Sequence, residues 1–344
     1  MSITQISSLG EFGLIDRLTK DVKLTQPSTY KGIGDDCAIL HYGADTEIVV
    51  TTDLLMEGIH FDLLYCPLKH LGYKAVAVNL SDIYAMNATP KQITVSIAVS
   101  KKFSVEALEQ LYEGIVLACN RFEVDLVGGD TSSSLTGLAI SITAIGETKK
   151  GESVLRSGAK ENDLICVSGD LGAAYLGLQV LEREKHIFKN AKGISPKLEG
   201  YDYVLERQLK PEPRRDIITA LKRSGIKPTS MIDISDGLSS EILHICKQSD
   251  KGCKLYLHKF PIHDQTKIIA DEFNVDVYTC ALNGGEDYEL LFTVDIKDYN
   301  KVVGIPDVTI IGNITNKEQG TFAYNTNGDA MKIQSMGWQS FKHE

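Results

Sequence analysis

The sequence predicts a two-domain protein of mixed α/β class. Its 344 residues exceed one ordinary domain and suit about two. Strand and helix signals alternate along most of the chain. A polar break, Lys149-Lys150-Gly151-Glu152, separates two such alternating sets. The boundary therefore falls near residue 150, with an N-terminal unit over residues 1–149 and a C-terminal unit over 150–344.

In the first unit, Glu47 to Thr52 (EIVVTT), Gln92 to Val99 (QITVSIAV) and Leu138 to Ile145 (LAISITAI) are rich in β-branched residues with partial alternation, the pattern of strands. Apolar residues from Leu71 to Met86 recur at helical spacing, and Ser104 is placed to cap a helix running to about Cys119. The second unit begins with the strand LICVS after Asp163, then a helix opening around Gly172-Ala173-Ala174. Pro211 to Arg223, Leu238 to Lys247 and Lys267 to Phe273 read as helices. Glu289 to Val294 and Val308 to Ile311 read as strands. Residues 185 to 210 are polar and interrupted by Gly193, Pro196 and Gly200, which predicts a loop-rich insertion.

Composition narrows the function. With 43% hydrophobic and 24% charged residues, the chain is neither disordered nor fibrous. No run approaches the roughly 18 apolar residues of a membrane span, and the N-terminus lacks the basic and apolar regions of a secretory signal. A net charge of −10 argues against a nucleic-acid partner. It leaves room for a phosphate-bearing ligand, because a divalent cation bridges carboxylate to phosphate. Cys37, Cys66, Cys119, Cys166, Cys246, Cys253 and Cys280 are scattered without a C-x-x-C pair, which predicts reduced thiols in a cytoplasmic chain and no structural zinc.

The chemistry lies in a recurring pattern of Asp beside Gly, Ser or Thr. The motifs are Gly32-Ile33-Gly34-Asp35-Asp36, Thr51-Thr52-Asp53, Asn79-Leu80-Ser81-Asp82, Gly128-Gly129-Asp130, Asp233-Ile234-Ser235-Asp236-Gly237 and Gly284-Gly285-Glu286-Asp287. Hard cations such as Mg²⁺ take oxygen ligands, usually one or two carboxylates per ion plus water and phosphate oxygens. An Asp after a strand, followed by a glycine turn, projects its carboxylate into a crevice. Any single Asp beside Gly is ordinarily a turn residue. Asp82 differs, since it sits inside an apolar helical stretch where an acid is costly unless paired or metal-bound. Of the adjacent Asp35 and Asp36, one is expected to face a site while the other makes a turn.

Other schemes are absent. The sequence has no G-x-x-x-x-G-K-[ST] loop, no protein-kinase signatures, no G-x-S-x-G elbow and no H-E-x-x-H helix. Gly32-x-Gly34 runs into two aspartates instead of completing a dinucleotide fingerprint. Single residues carry two readings each. His60 is a hydrogen-bonded structural residue or a ligand contact, and Arg156 is a surface residue or a fork for phosphate oxygens. Trp338, the only tryptophan, packs the tail or walls an aromatic or cationic ring. The Gly169-Asp170-Leu171-Gly172 turn reads as an ordinary helix entry.

Taken together, GIGDDCAIL, TTDLLMEGIHF, YKAVAVNLSDIYAMNATP, VGGDT, RSGAK, ISDGL and NGGEDYELLFTV resemble the thiamine-monophosphate kinase family, in the family's order and over residues 11 to 338. NLSDIYAM combined with GGEDYEL is the specific part. The resemblance implies a two-domain aminoimidazole ribonucleotide synthetase-like fold, with strands of the N-terminal domain forming a barrel at a homodimer interface. It implies residues 1–149 as the ATP- and Mg²⁺-binding and dimerisation domain, and 150–344 as the domain completing the nucleotide and substrate sites. The implied reaction converts ATP and thiamine monophosphate to ADP and thiamine diphosphate by direct in-line transfer, with several Mg²⁺ ions.

Residue by residue, the resemblance assigns metal ligation to Asp36, Thr52, Asp53, Asp82, Asp130 and Asp233, with Thr51 beside them and Asp236 for a further ion. It gives Tyr112, Gly129, Asp130, Arg156 and Ser235 to ATP, and His60, Glu286 and Trp338 to thiamine monophosphate. The stretch 185–205 looks longer than the family's usual loop. Two other readings stand beside this one. A sibling ATP-using enzyme would act on a ribonucleotide amide or on selenide, although Cys37 follows the first acidic motif where the selenide branch would carry a cysteine ahead of it. A non-catalytic protein would bind Mg-nucleotide without an acceptor.

Overall fold

A computed structural model describes residues 9–190 and 196–335. The chain opens with helix α1 (Gly10–Thr19) and strands β1 (Thr29–Lys31), β2 (Ala38–Leu40) and β3 (Thr46–Met56). It continues through α2 (Leu68–Ala85), β4 (Thr89–Ser100), α3 (Val105–Phe122), β5 (Asp125–Ser134) and β6 (Leu138–Lys149). The strands form one six-stranded sheet in the order β1-β2-β3-β6-β4-β5, antiparallel except for the β4–β5 pair. Alternation in β6 buries Leu138, Ile140, Ile142 and Ala144 and turns the intervening residues outward, which is the period-two signature of a half-covered sheet.

Helix α2 covers that buried face. Fourteen of its eighteen residues are buried, as expected of a helix apolar on nearly every side. It crosses α3 at a close approach that glycine alone permits. A Cβ on Gly72 would lie 2.0 Å from the Leu111 carbonyl, and one on Gly114 would lie 1.9 Å from that of Lys69. The Ser104 hydroxyl accepts from the Ala107 amide at 3.2 Å, so α3 starts where the sequence places its cap.

The second set of elements runs β7 (Leu164–Ser168), α4 (Ala173–Asn190), α5 (Asp202–Leu209), α6 (Arg215–Arg223), β8 (Ser230–Asp233) and α7 (Leu238–Ser249). It ends with β9 (Gly252–Tyr256), α8 (Asp264–Glu272), α9 (Val277–Asn283), β10 (Leu290–Val294), α10 (Tyr299–Val302), β11 (Val308–Thr315), β12 (Thr321–Tyr324) and β13 (Ala330–Lys332). The seven strands order as β13-β12-β9-β11-β7-β10-β8, mostly antiparallel with β12 parallel to β9. Apolar packing is continuous between the two sheets: Leu80 and Ile83 of α2 share a cluster with Cys166, Met231 and Phe292 of the second sheet. All seven cysteines are buried and unpaired.

Three expectations are corrected. Gly128-Gly129-Asp130 is no turn; it lies within β5, pairing in parallel with Thr94, Val95 and Ser96 of β4. Residues 185 to 210 are largely helical where described, since α4 continues to Asn190 and α5 occupies Asp202–Leu209. The helix expected from Pro211 starts at Arg215, because Pro211 and Pro213 carry no N–H and bias the residue before each away from helix. Among the described residues neither sheet closes on itself within the single chain. No described helix is long and apolar enough to cross a membrane.

Candidate active site

The buried helix α2 sets the site. Lys74, Val78 and Asp82 recur on it at i, i+4 and i+8, so a single face carries a cation, an apolar residue and an acid toward the junction of the two sheets. Neighbouring strands are tied to this helix by polar side chains. The Thr51 hydroxyl of β3 donates to Asp82 Oδ2 at 2.6 Å. Ser81 of α2 donates to Asp233 Oδ2 at the end of β8, also at 2.6 Å, and Asn79 accepts from the Asp53 amide at 3.2 Å.

Above this floor lies a cavity of about 580 Å³. Asp36, Asp53, Asp82, Asp233 and Asp236 line it, with Thr51, Thr52, Ser235 and Arg156 between them. One oxygen from each of Asp36, Asp82 and Asp233 lies within 4.8 Å of the others. Asp36 is 6% exposed and Asp233 3%, so little water reaches them. Arg156 reaches Asp36 Oδ1 through Nε at 3.0 Å and through Nη2. The adjacent Asp35 turns away: its Oδ1 accepts from the Arg156 amide at 3.1 Å and Lys31 stands 3.5 Å from its Oδ2. One aspartate faces the site and the other makes the turn, as the sequence requires.

Loss of water controls the charges. Burial pushes Asp36 and Asp236 up to about 7, and Asp53 and Asp233 to about 6. Asp82 is driven well above its ordinary value by burial and then by the facing carboxylates of Asp53, Asp233 and Asp36. Arg156 pulls Asp36 back only in part. Asp36 Oδ2 is buried with no hydrogen-bond partner among the described residues. A cluster of hard oxygen donors that disfavour one another, with an orphaned acceptor among them, fits a divalent cation such as Mg²⁺.

An adjoining wall comes from the GGEDYEL segment. Gly285 takes φ +72°, and a Cβ there would approach the Ser235 carbonyl to 2.7 Å. The Glu286 amide donates to that carbonyl at 2.6 Å, and the Tyr288 amide donates to the Ile234 carbonyl at 2.9 Å. The two acidic turns are therefore stitched side by side. Glu286 lines the cavity; Asp287 instead accepts from the Gly172 amide at 2.8 Å, so the glycine turn before α4 is an ordinary helix entry. His60 also lines the cavity. Its Nδ1 accepts from the Met56 amide at 3.0 Å and burial lowers its basicity, so it is hydrogen-bonded within the fold while lining the cavity.

Not every expected residue converges. Gly129 and Asp130 stand on the exposed edge strand β5, outside the cavity wall. Tyr112 lies half-buried on α3 against the apolar core. Trp338 falls outside the described residues. Sequence reasoning missed Glu11 and Phe12 of α1, Gln208 of α5, and Asp62, Tyr65, Glu182 and Lys185, all of which line the cavity. It also missed Glu241, 2% exposed, whose Oε1 accepts from the Asp236 amide at 2.9 Å and holds that turn. A charged residue inside an amphipathic helix was the one signal for Glu241, and none of the others sits in a motif.

The first sheet and its acidic cleft carry an AIR synthase-related domain. Residues 34–148 match the family model described as "AIR synthase related protein, N-terminal domain". The particular branch follows from full-length relatives. The chain is 38% identical over 316 residues to a thiamine-monophosphate kinase of Buchnera aphidicola subsp. Schizaphis graminum, covering 90% of this chain and 92% of that one. It is 33% identical over 340 residues to the Bacillus subtilis thiamine-monophosphate kinase, covering 97% and 100%. Among solved structures, one described as "AaThiL complexed with AMPPCP and TMP" superposes with a TM-score of 0.83 at 31% identity, covering 98% of this chain and 99% of that one. This chain belongs to the thiamine-monophosphate kinase family.

Proposed function

We propose that the chain is an ATP-dependent kinase that phosphorylates thiamine monophosphate to thiamine diphosphate. The observation that carries this reading is the convergence of Asp36, Asp82 and Asp233 at one cavity that Arg156 and Glu286 also line. The relatives' names and the nucleotide-analogue complex of the structural neighbour support the same reaction.

Asp36, Asp82 and Asp233, with Asp53 and Asp236 beside them, would hold Mg²⁺, which would supply positive charge against the phosphates. Arg156 has a planar fork of donors at the same place and offers them to phosphate oxygens. Ser235 presents its hydroxyl beside the Asp236 turn, while His60 and Glu286 form the wall for the acceptor. The acceptor's monoester has its second pKa near 6, so at pH 7 it is largely dianionic and needs no general base. One of its oxygens forms the new bond to the γ-phosphorus as the bond from phosphorus to the β,γ-bridging oxygen breaks, and that electron pair leaves with ADP. The protein supplies position and charge, and no residue forms a covalent intermediate.

The finer organisation belongs to the same proposal. The domain boundary is put near residue 150, supported by the end of the first sheet at Lys149. Two copies are proposed to pair through the six-stranded sheet and complete a barrel there. β5 is exposed along nearly its whole length, with Leu126 and Val127 open to solvent and Leu135 just beyond it. Such pairing would bury Gly129 and Asp130 in the interface. The buried, unpaired thiols support action in the cytoplasm.

The test is ADP release from ATP and Mg²⁺ with thiamine monophosphate, with thiamine, or with no acceptor, and the product identified by mass. Thiamine diphosphate formed only from the monophosphate is the expected result. Folded, nucleotide-binding protein that yields no product with any acceptor would leave the sibling enzymes and the non-catalytic reading in its place. Light scattering in solution checks the dimer; a monomer at assay concentration removes it.

A further inference from the structure

One buried charge has no place in the reaction as derived so far. Lys74 is 4% exposed, in the middle of α2, where an ammonium is costly without an anion. Its Nζ lies 2.8 Å from Glu286 Oε1 and donates to the Gln208 carbonyl at 3.0 Å. The other oxygen of the same carboxylate, Glu286 Oε2, accepts from Gln208 Nε2 at 2.7 Å. The carboxylate is held at both oxygens, from two helices, with one lone pair on each oxygen left over.

The geometry of Gln208 is informative. An ionised carboxylate only accepts, so the amide must turn its NH₂ toward Glu286. Gln208 Oε1 is then left buried with no partner among the described residues, and the side chain as a whole is 5% exposed. A glutamine that merely filled space would avoid this orphaned acceptor by turning to water or to a donor. The backbone of Glu286 is constrained as well. It takes φ +58°, a left-handed conformation unusual for a residue with a side chain, and its amide is spent on the Ser235 carbonyl. Backbone strain, an ion pair and an amide donor all converge on one carboxylate in the cavity wall.

We propose that Lys74 and Gln208 are positioning residues that clamp Glu286 as a fixed acceptor for the organic, donor-bearing part of the acceptor substrate, away from the phosphate end of the cavity. This rests on the kinase reading above and deepens it. Glu286 touches the acceptor, and the other two act through it. The unused lone pairs of the clamped carboxylate face a substrate group that donates a hydrogen bond or carries positive charge. An acceptor with neither would lose its anchor while its phosphate could still reach the acidic floor.

The experiment is steady-state kinetics of the full chain with thiamine monophosphate and Mg-ATP, on Lys74→Met, Gln208→Leu, Glu286→Gln and the double variant Lys74→Met/Glu286→Gln, with melting temperatures beside them. Lys74→Met is expected to raise KM for thiamine monophosphate about tenfold and Gln208→Leu about threefold, with KM for Mg-ATP within about twofold of the parent. The double variant should be no worse than Glu286→Gln alone, because Lys74 acts only through that carboxylate. Additive losses in the double variant, or equal rises in KM for both substrates, would overturn the clamp and leave an ion pair that only stabilises the fold. Gln208→Leu keeps the test open if Lys74→Met does not fold: a stable Gln208→Leu protein with unchanged KM for thiamine monophosphate also overturns it. A parent protein with no acceptor-dependent ADP release ends the kinase reading itself, whereas a parent with normal turnover and unaffected variants ends only the clamp.

Discussion

Two buried carboxylate sites in this molecule are built alike and completed differently. Glu289, 1% exposed, is satisfied on both oxygens by the protein itself: Arg207 Nη2 lies 2.8 Å from Oε1, and Arg214 Nη1 lies 2.7 Å from Oε2 beside the Ser168 hydroxyl. At the acidic floor, the cavity-lining Asp36, Asp53, Asp82 and Asp233 have among the described residues one direct cation contact between them, Arg156 on Asp36. Burial removes water from the carboxylates of both sites. The first offsets it with protein cations and becomes part of the fold. The second leaves the offset to a ligand and so is poised to bind one.

This contrast can be broken by experiment, beginning with the largest expected effect. Asp82→Ala should lower turnover by roughly a thousandfold or more, because it removes charge placed for the transition state. Its ligand-free melting temperature should stay level or rise, since repulsion from Asp53, Asp233 and Asp36 is relieved. Glu289→Ala should do the reverse, destabilising the fold by about 3–5 kcal/mol by taking from the mostly buried Arg207 its ion-pair partner and leaving Arg214 with Asp216. Chemical denaturation of the two variants decides the matter: equal destabilisation would erase the distinction.

The pH dependence sharpens it. Asp36, Asp53, Asp233 and Asp236 hold folded-state values of about 6 to 7, above the ordinary 3.8. The folded chain therefore binds more protons than the unfolded chain between about pH 4 and pH 7, and stability falls as pH rises through that window. Melting temperature without divalent cation should decline from pH 5 to pH 8. Added Mg²⁺ should raise it most at pH 8 and least at pH 5, by the linkage of ligand to the folded state. A flat or rising profile without cation would mean that these carboxylates are not strained. As a small reference effect, Ser104→Ala should cost about 1 kcal/mol at the start of α3 without altering KM for either substrate.

The legible parts of the fold were those with a local cause. Ser104 caps α3 because its hydroxyl meets an amide three residues on, and Asp82 could be singled out because an acid inside an apolar helix needs a partner. Adjacency made it legible that Asp35 and Asp36 would part, while the choice of Asp36 came from the resemblance. The strand β5 was hidden by its composition: glycines and serines carry turn chemistry, and only pairing with β4 makes them a strand. Convergence was also invisible, since Ser81 and Asp233 meet across 152 residues of chain. Lys74 and Gln208 stand 134 residues apart, and neither residue type signals a site until the fold brings them to one carboxylate.

Helix α2 acts as a gauge. Lys74, which braces the acceptor wall, and Asp82, at the phosphate floor, are eight positions apart on it, a separation of about 12 Å along the axis at 1.5 Å per residue. The helix is encased on nearly every side and locked to α3 at Gly72 and Gly114, so that spacing cannot stretch. With the clamp proposed above, an acceptor would be sized as well as recognised: a phosphate ester whose anchor group sits nearer to or farther from its phosphate could occupy one end of the cavity or the other, but would not span both.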